Sequence, residues 1–189
     1  ADDLAILRWN QRSRYPEAVE QSWRFLNRNL SSFDAAVGSD LSNTAPTLFK
    51  GLPFFLKRVD AIKNALKVEI ARPRPYVSHP DLSPCLPTKT TFSYPSGHAA
   101  WYGTAALLLA DLLPQRRERL LSVGSQGGFA RSYCVVHYPS DVLASQRLAA
   151  AISRDVIASP QWQAFRQQLQ GELGKLLVPP PAGLPLLSD

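Results

Sequence analysis

The chain has 189 residues, and its 21 lysine and arginine residues against 15 aspartate and glutamate residues give a net charge of +6. Its composition, 45% hydrophobic and 19% charged, excludes the class of weakly hydrophobic, highly charged chains that remain disordered. We expect one domain with a sizeable core and an anionic partner, whose identity the charge alone does not determine.

Two amphipathic helices are predicted in the first half of the chain. The first begins at Pro16 and runs to about Leu30, with apolar residues three or four positions apart. The second runs from about Thr47 to about Ile70. Residues 72–95 then contain six prolines and no helical periodicity, which predicts a long loop of the kind that frequently carries a functional site.

The second half is predicted to fold around a central helix. Residues 96–113 are apolar on almost every side, which is typical of a buried helix. Three further helices are predicted at about 115–135, 139–158 and 160–177, followed by a proline-rich tail at 178–189. The predicted fold is therefore all-α, a single-domain helical bundle over residues 1–177.

The first residues and the two cysteines bear on where in or outside the cell the protein is expected to be found. The chain lacks methionine and begins Ala1-Asp2-Asp3, which we interpret as a processed, exported chain, periplasmic or secreted. Its longest uncharged apolar run, 99–110, is shorter than the roughly 20 residues that cross a bilayer, so no integral membrane span is expected. In an exported protein, Cys85 and Cys134 favour a single disulfide, with two buried thiols as the alternative.

A first pair of candidate binding residues lies at the end of the second predicted helix. Lys67 is in its last turns, and Arg74 follows between two prolines. An ammonium group and a planar guanidinium suit a phosphate group, because arginine binds two oxygens at once while lysine acts as a point charge. Taken alone, two basic residues at a helix end are more often solvated.

A second group lies where the proline-rich loop meets the central helix. Ser96 is placed to cap that helix. The N–H groups that follow are a ready anion site, and Gly97 lets an anion approach the backbone. His98 would face this anion. The alternative is an ordinary capped helix with a histidine in its first turn.

A third group surrounds the connection before the predicted helix at 139–158. His137 and Asp141 are four residues apart, so the carboxylate can accept a hydrogen bond from one ring nitrogen and leave the other free. Arg131, on the preceding helix, offers another guanidinium for phosphate. A plain histidine–aspartate hydrogen bond that ties a loop to a helix is the alternative.

Taken in order, Lys-x6-Arg-Pro, Pro-Ser-Gly-His and Arg-x5-His-x3-Asp resemble the three-part signature of the type 2 phosphatidic acid phosphatase superfamily. Within it, the chain is most similar to the bacterial class A non-specific acid phosphatases, over roughly residues 15–175. The resemblance implies an exported acid phosphatase that hydrolyses phosphate monoesters with broad specificity. It also implies that no metal or other cofactor is needed and that vanadate inhibits.

The resemblance also assigns roles within this chain. His137 would be the nucleophile that forms a phosphohistidine, Asp141 would orient it, and His98 would be the general acid. The phosphate oxygens would be held by Lys67, Arg74, Ser96, Gly97 and Arg131. The third histidine, His79, lies in a loop without a partner at a recognisable spacing and is expected to be an ordinary loop residue.

Alternatives stay open at this point. Vanadate-dependent haloperoxidases share the three motifs, although those chains are generally much longer, and a peripheral lipid phosphatase is another reading. A phosphate-binding domain with weakened catalysis is a third, since Ala130 stands where the family usually has a serine, whose hydrogen bond is worth about 1.5 to 3 kcal/mol. Nucleic acid is not expected as a partner, because the basic residues form no run; a homo-oligomer is left open.

Overall fold

The computed structural model describes residues 2–177, and within them the chain forms helices and no strands. The predicted all-α class is confirmed. The predicted tail at 178–189 lies outside the described residues. The α-helices between residues 2 and 177 are α1 Asp3–Arg12, α2 Pro16–Arg24, α3 Asp34–Val37, α4 Leu41–Thr44, α5 Pro46–Ile70, α6 Pro75–Ser78, α7 Gly97–Leu112, α8 Arg117–Tyr133, α9 Pro139–Ile157, α10 Pro160–Gln168 and α11 Gln170–Leu176.

Several boundaries differ from the predicted ones. Helix α2 ends not near Leu30 but at Arg24, where the N–H groups of Phe25 and Leu26 donate to carbonyls three residues earlier. The side chain of Asn29 then accepts from the Ser31 N–H at 3.0 Å and starts a separate 3-10 turn. The helix predicted at 160–177 is two helices that meet at Leu169. Helix α1 was not predicted, although its N-terminus carries a capping signal, Asp2, which accepts from the Leu4 N–H at 3.0 Å.

Helix α7 is the centre of the bundle, as its apolar sequence predicts, and packs against α5, α8 and α9. Glycines on α8 allow the closest of these approaches. A Cβ at Gly127 would lie 2.4 Å from the Tyr102 ring, and one at Gly124 would lie 2.6 Å from the Ala106 methyl group. Any larger side chain there would push the two helices apart. Among the described helices, none combines the length and apolar character that crossing a bilayer requires.

The candidate residues are positioned by helix ends that meet on one side of α7. The C-terminal parts of α5 and α8 lie beside the N-termini of α7 and α9 there. The long loop between α6 and α7 closes over this region and is joined to the end of α8 by a disulfide between Cys85 and Cys134. The N–H of Cys85 also donates to the carbonyl of Cys134 at 3.3 Å.

Candidate active site

A cavity of about 170 Å³ opens where these helix ends meet. Gly97, His98 and His137 contribute to its wall. The basic side chains that line it are Arg28, Lys63, Lys67, Arg74, Lys89 and Arg131. A small cavity with this many cationic groups and two imidazoles is a favourable environment for a compact anion.

The structure brings the three sequence motifs together at this cavity. From the first motif, Lys67 and Arg74 line it; from the second, Gly97 and His98; from the third, Arg131 and His137. Two candidates lie behind the wall instead. The side chains of Ser96 and Asp141 are fully buried and do not line the cavity, so they act on its contents only through their neighbours.

The two nitrogens of the His137 ring have different partners. Arg74 Nη1 lies 2.9 Å from Nε2, and because a guanidinium only donates, Nε2 must carry the lone pair. The proton of the neutral ring is therefore on Nδ1, which faces Asp141 Oδ2 at 3.3 Å. Burial lowers the pKa of His137 well below its usual range, although the hydrogen bond to Asp141 acts in the opposite direction.

The carboxylate of Asp141 is held from several sides. Its Oδ2 accepts from the Tyr138 N–H at 2.9 Å and from Ser93 Oγ at 2.5 Å, while its Oδ1 accepts from Arg72 Nη1 at 2.7 Å. Burial acts to raise the pKa of Asp141, but the hydrogen bonds from His137 and Ser93 outweigh it and the pKa is lowered. The group is thus a fixed, ionised acceptor for His137.

A strained turn places His137 beside Arg131. Val135 has a left-handed φ of 50°, a conformation that costs a β-branched residue about 1 to 3 kcal/mol. The turn lets the N–H groups of Val136 and His137 both donate to the Arg131 carbonyl, at 3.0 and 3.2 Å. The end of α8 and the start of α9 are thereby joined around the cavity.

His98 lies in the first turn of α7 and lines the same cavity as His137. Its Nε2 lies 2.9 Å from the Leu26 carbonyl, which can only accept, so Nε2 carries a proton. Nδ1 is left as the nitrogen that can exchange a proton. Burial and the nearby Arg131 lower the pKa of His98 to about 3.

The three basic residues named by the motifs are anchored through backbone carbonyls. Lys67 donates to the carbonyls of Phe92 and Ser93, and burial together with Arg74 and Lys63 lowers the pKa of Lys67 to about 7. Arg74 donates through Nε to the Thr91 carbonyl at 2.8 Å and through Nη1 to the Val136 carbonyl at 2.8 Å. Arg131 donates to the Phe25 carbonyl. An entering anion would relieve the repulsion among these cations.

The start of α7 also shows why a glycine stands at position 97. Ser96 caps the helix, with Oγ accepting from the Ala99 N–H at 3.4 Å. A Cβ on Gly97 would lie 2.8 Å from Cδ of Lys63. The glycine therefore makes room for the Lys63 side chain as well as exposing the helix N-terminus to the cavity.

Some residues of the site were not singled out in the sequence. Lys63 stands one helical turn before Lys67 on α5, so the four-residue spacing could have indicated it. No such signal marks Arg28, because only the folding of the chain brings it beside Lys63. Both side chains pair with Asp60, Arg28 at 2.7 Å and Lys63 at 3.0 Å. Lys89 is held at the rim by Tyr76, whose hydroxyl accepts from its N–H at 2.9 Å and donates to its carbonyl at 2.7 Å.

Ala130 does not line the cavity. A serine hydroxyl at this position was expected either to hydrogen-bond phosphate or to orient a neighbouring group, and the packing of Ala130 in the main hydrophobic core does not fit direct contact with phosphate. Its methyl group instead borders a separate cleft near Phe129 and Tyr133. His79 ends the short helix α6 and also does not line the cavity.

Comparison with known proteins identifies the family. The family described as the PAP2 superfamily matches residues 52–165, which is more than half of the chain. The chain belongs to the PAP2 superfamily. The matched range contains all three motifs, from Lys67 to Asp141.

Relatives within the PAP2 superfamily include non-specific acid phosphatases. That of Providencia stuartii is 33% identical over 84 residues, which cover 44% of this chain and 34% of the relative. The non-specific acid phosphatase of Salmonella typhi is 28% identical over 167 residues, which cover 85% of this chain and 66% of the relative. The matched segments thus span from about a third to just under two thirds of these relatives.

A solved structure shares the fold. The transmembrane PAP2 type phosphatidylglycerolphosphate phosphatase from Bacillus subtilis superimposes with a TM-score of 0.59 at 22% identity, over 89% of this chain and 86% of that one. The likeness shows that the helical arrangement is shared over most of this chain.

Proposed function

We propose that the protein is a metal-independent acid phosphatase that hydrolyses phosphate monoesters through a phosphohistidine. One observation carries the proposal: His137 presents an unprotonated Nε2 to a cationic cavity while Nδ1 faces the buried carboxylate of Asp141. An imidazole held in this tautomer is a competent nucleophile. The non-specific acid phosphatases among the relatives support the same activity.

The reaction would proceed in two in-line steps. In the first, Nε2 of His137 bonds to phosphorus as the bond from phosphorus to the ester oxygen breaks, and Nδ1–H of His98 protonates the departing alkoxide. In the second, Nδ1 of His98 takes a proton from water, whose oxygen displaces His137 and releases phosphate. His98 ends protonated, as it began.

The low pKa of His98 fits this cycle once substrate is considered. With a pKa of about 3, His98 is largely neutral at pH 5. A phosphate dianion beside it would offset the charge of Arg131 and stabilise the imidazolium, which raises the pKa. Bound substrate would thus keep His98 protonated, as a general acid must be. We therefore expect the rate of hydrolysis to be highest at acid pH.

Phosphate binding would use the cations around the cavity. Lys67, Arg74 and Arg131 are candidates for the equatorial oxygens, where charge accumulates in the loose transition state. The N–H groups at the start of α7, including that of Gly97, would contribute further donors. The cavity volume of about 170 Å³ suits a phosphate group and little more, which supports broad specificity toward the rest of the ester.

The donor chemistry supports a reaction without a metal. Within residues 2–177, no three His, Cys, Asp or Glu side chains gather as a potential metal site. The cavity wall carries cations and imidazoles, whereas Mg²⁺ prefers carboxylate and water oxygens. The disulfide at Cys85 and Cys134 also supports the expected export to an oxidising compartment.

The test is a turnover panel of phosphomonoesters, nucleotides, diphosphates and phosphatidate at pH 5 and pH 7, with and without EDTA. We expect hydrolysis of several monoesters, unchanged by EDTA, inhibited by vanadate and abolished in His137→Asn. Lack of turnover on every ester would refute the phosphatase proposal, and strong loss with EDTA would refute metal independence. Bromide oxidation by the vanadate-loaded protein would favour a haloperoxidase.

A further inference from the structure

The two oxygens of Asp141 serve different partners. Oδ2 accepts from the backbone at Tyr138 and from Ser93 and faces His137. Oδ1 accepts from Arg72 Nη1 at 2.7 Å. Asp141 is fully buried, whereas the Arg72 side chain is 29% exposed. Arg72 therefore links the carboxylate behind the cavity to groups outside the three motifs.

Arg72 is in turn held by the N-terminal helix. Its Nη2 donates to Asp3 Oδ2 at 3.0 Å, and Asp3 lies in the first turn of α1. The guanidinium also stacks 3.7 Å above the Tyr138 ring. Because the guanidinium is planar, carboxylates at two of its edges and a ring against its face define its orientation.

The same carboxylate of Asp3 holds the start of α9. Asp3 Oδ1 accepts from the Ser140 N–H at 2.9 Å, and the Ser140 hydroxyl donates to Asp3 Oδ2. That hydroxyl also accepts from Arg72 Nη1 at 2.7 Å. Asp141 is the next residue along the chain. Asp3 thus contacts both the backbone that carries Asp141 and the guanidinium that binds it.

We propose that Arg72 and Asp3 are positioning residues, through which helix α1 fixes Asp141 against the Nδ1–H of His137. The effect on turnover rests on the proposed phosphatase function, whereas the effect on the His137 ring does not. Neither residue lines the cavity, so both act through Asp141 and not on the substrate.

The alternative is that α1 only stabilises the fold and does not position Asp141, and a control variant can test it. The helix is also tied to the long loop, because Arg8 Nε donates to Asp81 Oδ2 at 2.9 Å. This pair is about half exposed on both sides and has no contact with Asp141. Arg8→Gln therefore removes a tie of the same helix without touching the carboxylate, and serves as the matched control for Asp3→Asn.

The experiment combines NMR of the His137 ring with steady-state kinetics. With three histidines in the chain, the imidazole resonances are assigned by substituting them one at a time. The wild type and Arg8→Gln should show a slowly exchanging Nδ1–H of His137. In Asp3→Asn and Arg72→Gln this resonance should broaden or shift. Monoester kcat should fall about tenfold, as expected for one lost hydrogen bond to a charged group, with KM changed less than about twofold.

One further variant separates a loss of positioning from a loss of folding. Arg72→Lys keeps the charge but cannot bridge Asp3 and Asp141, so it should shift the same resonance even if Arg72→Gln unfolds. An unperturbed Nδ1–H in folded Asp3→Asn and Arg72→Lys would overturn the proposal, as would an equal change in Arg8→Gln. If the wild type hydrolyses no ester, the phosphatase proposal fails, and the NMR comparison still decides the positioning role.

Discussion

Arg74 donates a hydrogen bond to the nitrogen of His137 that would attack phosphorus. The distance from Nη1 to Nε2 is 2.9 Å, so the guanidinium occupies the lone pair of the proposed nucleophile. A phosphate oxygen is a stronger acceptor and would draw the guanidinium from the ring. Arg74 thus selects the reactive tautomer of His137 and, under the proposed function, would also bind the group that releases it.

This double role predicts a large effect of Arg74→Gln. We expect kcat/KM for a monoester to fall about 10²- to 10³-fold, since the variant loses a charged donor to the transition state and the constraint on the His137 tautomer. Steady-state kinetics measures the change. Arg24→Gln, an exposed position on α2, is the control and should match the wild type. A loss below threefold in Arg74→Gln would contradict the dual role.

The general acid is tested by varying the leaving group. His98→Asn should slow hydrolysis of alkyl phosphates about 10²- to 10⁴-fold, because their alkoxides need a proton as they depart. Esters of acidic phenols should be much less affected. Kinetics on a series of esters with increasing leaving-group pKa measures this difference.

The control for that series is the wild type, whose rates should depend weakly on leaving-group pKa. An equal loss in His98→Asn across all esters would show that His98 binds phosphate and does not transfer a proton.

The depressed pKa of His98 predicts a pH dependence of stability. An unfolded histidine titrates near 6.5, whereas His98 in the folded protein titrates near 3. Between these values the unfolded chain binds more protons, so the free energy of unfolding should fall as the pH drops through this window. Chemical denaturation from pH 7 to pH 4 measures it.

Two comparisons separate His98 from other titrating groups. His98→Asn should show a shallower fall with pH, and saturating inorganic phosphate should reduce the fall in the wild type, because the anion raises the pKa of His98. Identical pH profiles for the wild type and His98→Asn would contradict the low pKa.

The disulfide predicts a loss of both stability and binding when it is removed. The bond closes a segment with a sequence separation of 49 residues, for which chain entropy gives a stabilisation of about 4 kcal/mol. The closed segment includes Thr91, whose carbonyl anchors Arg74. The double variant Cys85→Ser, Cys134→Ser should therefore have a lower free energy of unfolding and a raised KM, measured by urea denaturation and monoester kinetics. Unchanged values for both would contradict this account.

Much of the site could be predicted because its residues lie in short motifs next to helix ends. A capping serine before an apolar helix places His98, and the four-residue spacing of His137 and Asp141 brings their side chains together. What the sequence could not indicate is pairing over long separations. Arg72 and Asp3 are 69 positions apart, and no local periodicity records their contact.

The fold was predicted best where the hydrophobic pattern is strongest. Helices α5 and α7 were located to within one or two residues, whereas the helix predicted from Pro16 is too long at its C-terminal end. There, the Asn29 side chain accepts a hydrogen bond from the Ser31 N–H and starts a separate 3-10 turn, although the apolar spacing continues to Leu30. Local polar competition of this kind is invisible to hydrophobic periodicity.

The central claim, a phosphoryl group carried by His137, is tested most directly by trapping the intermediate. The wild type is mixed with an ester of an acidic phenol, quenched in alkali, where phosphohistidine survives, and analysed by peptide mass spectrometry. We predict a phosphoryl group on His137, with close to one equivalent of phenol released in the first turnover. A phosphoryl group on another residue, or an unmodified His137 after such a burst, would contradict the account.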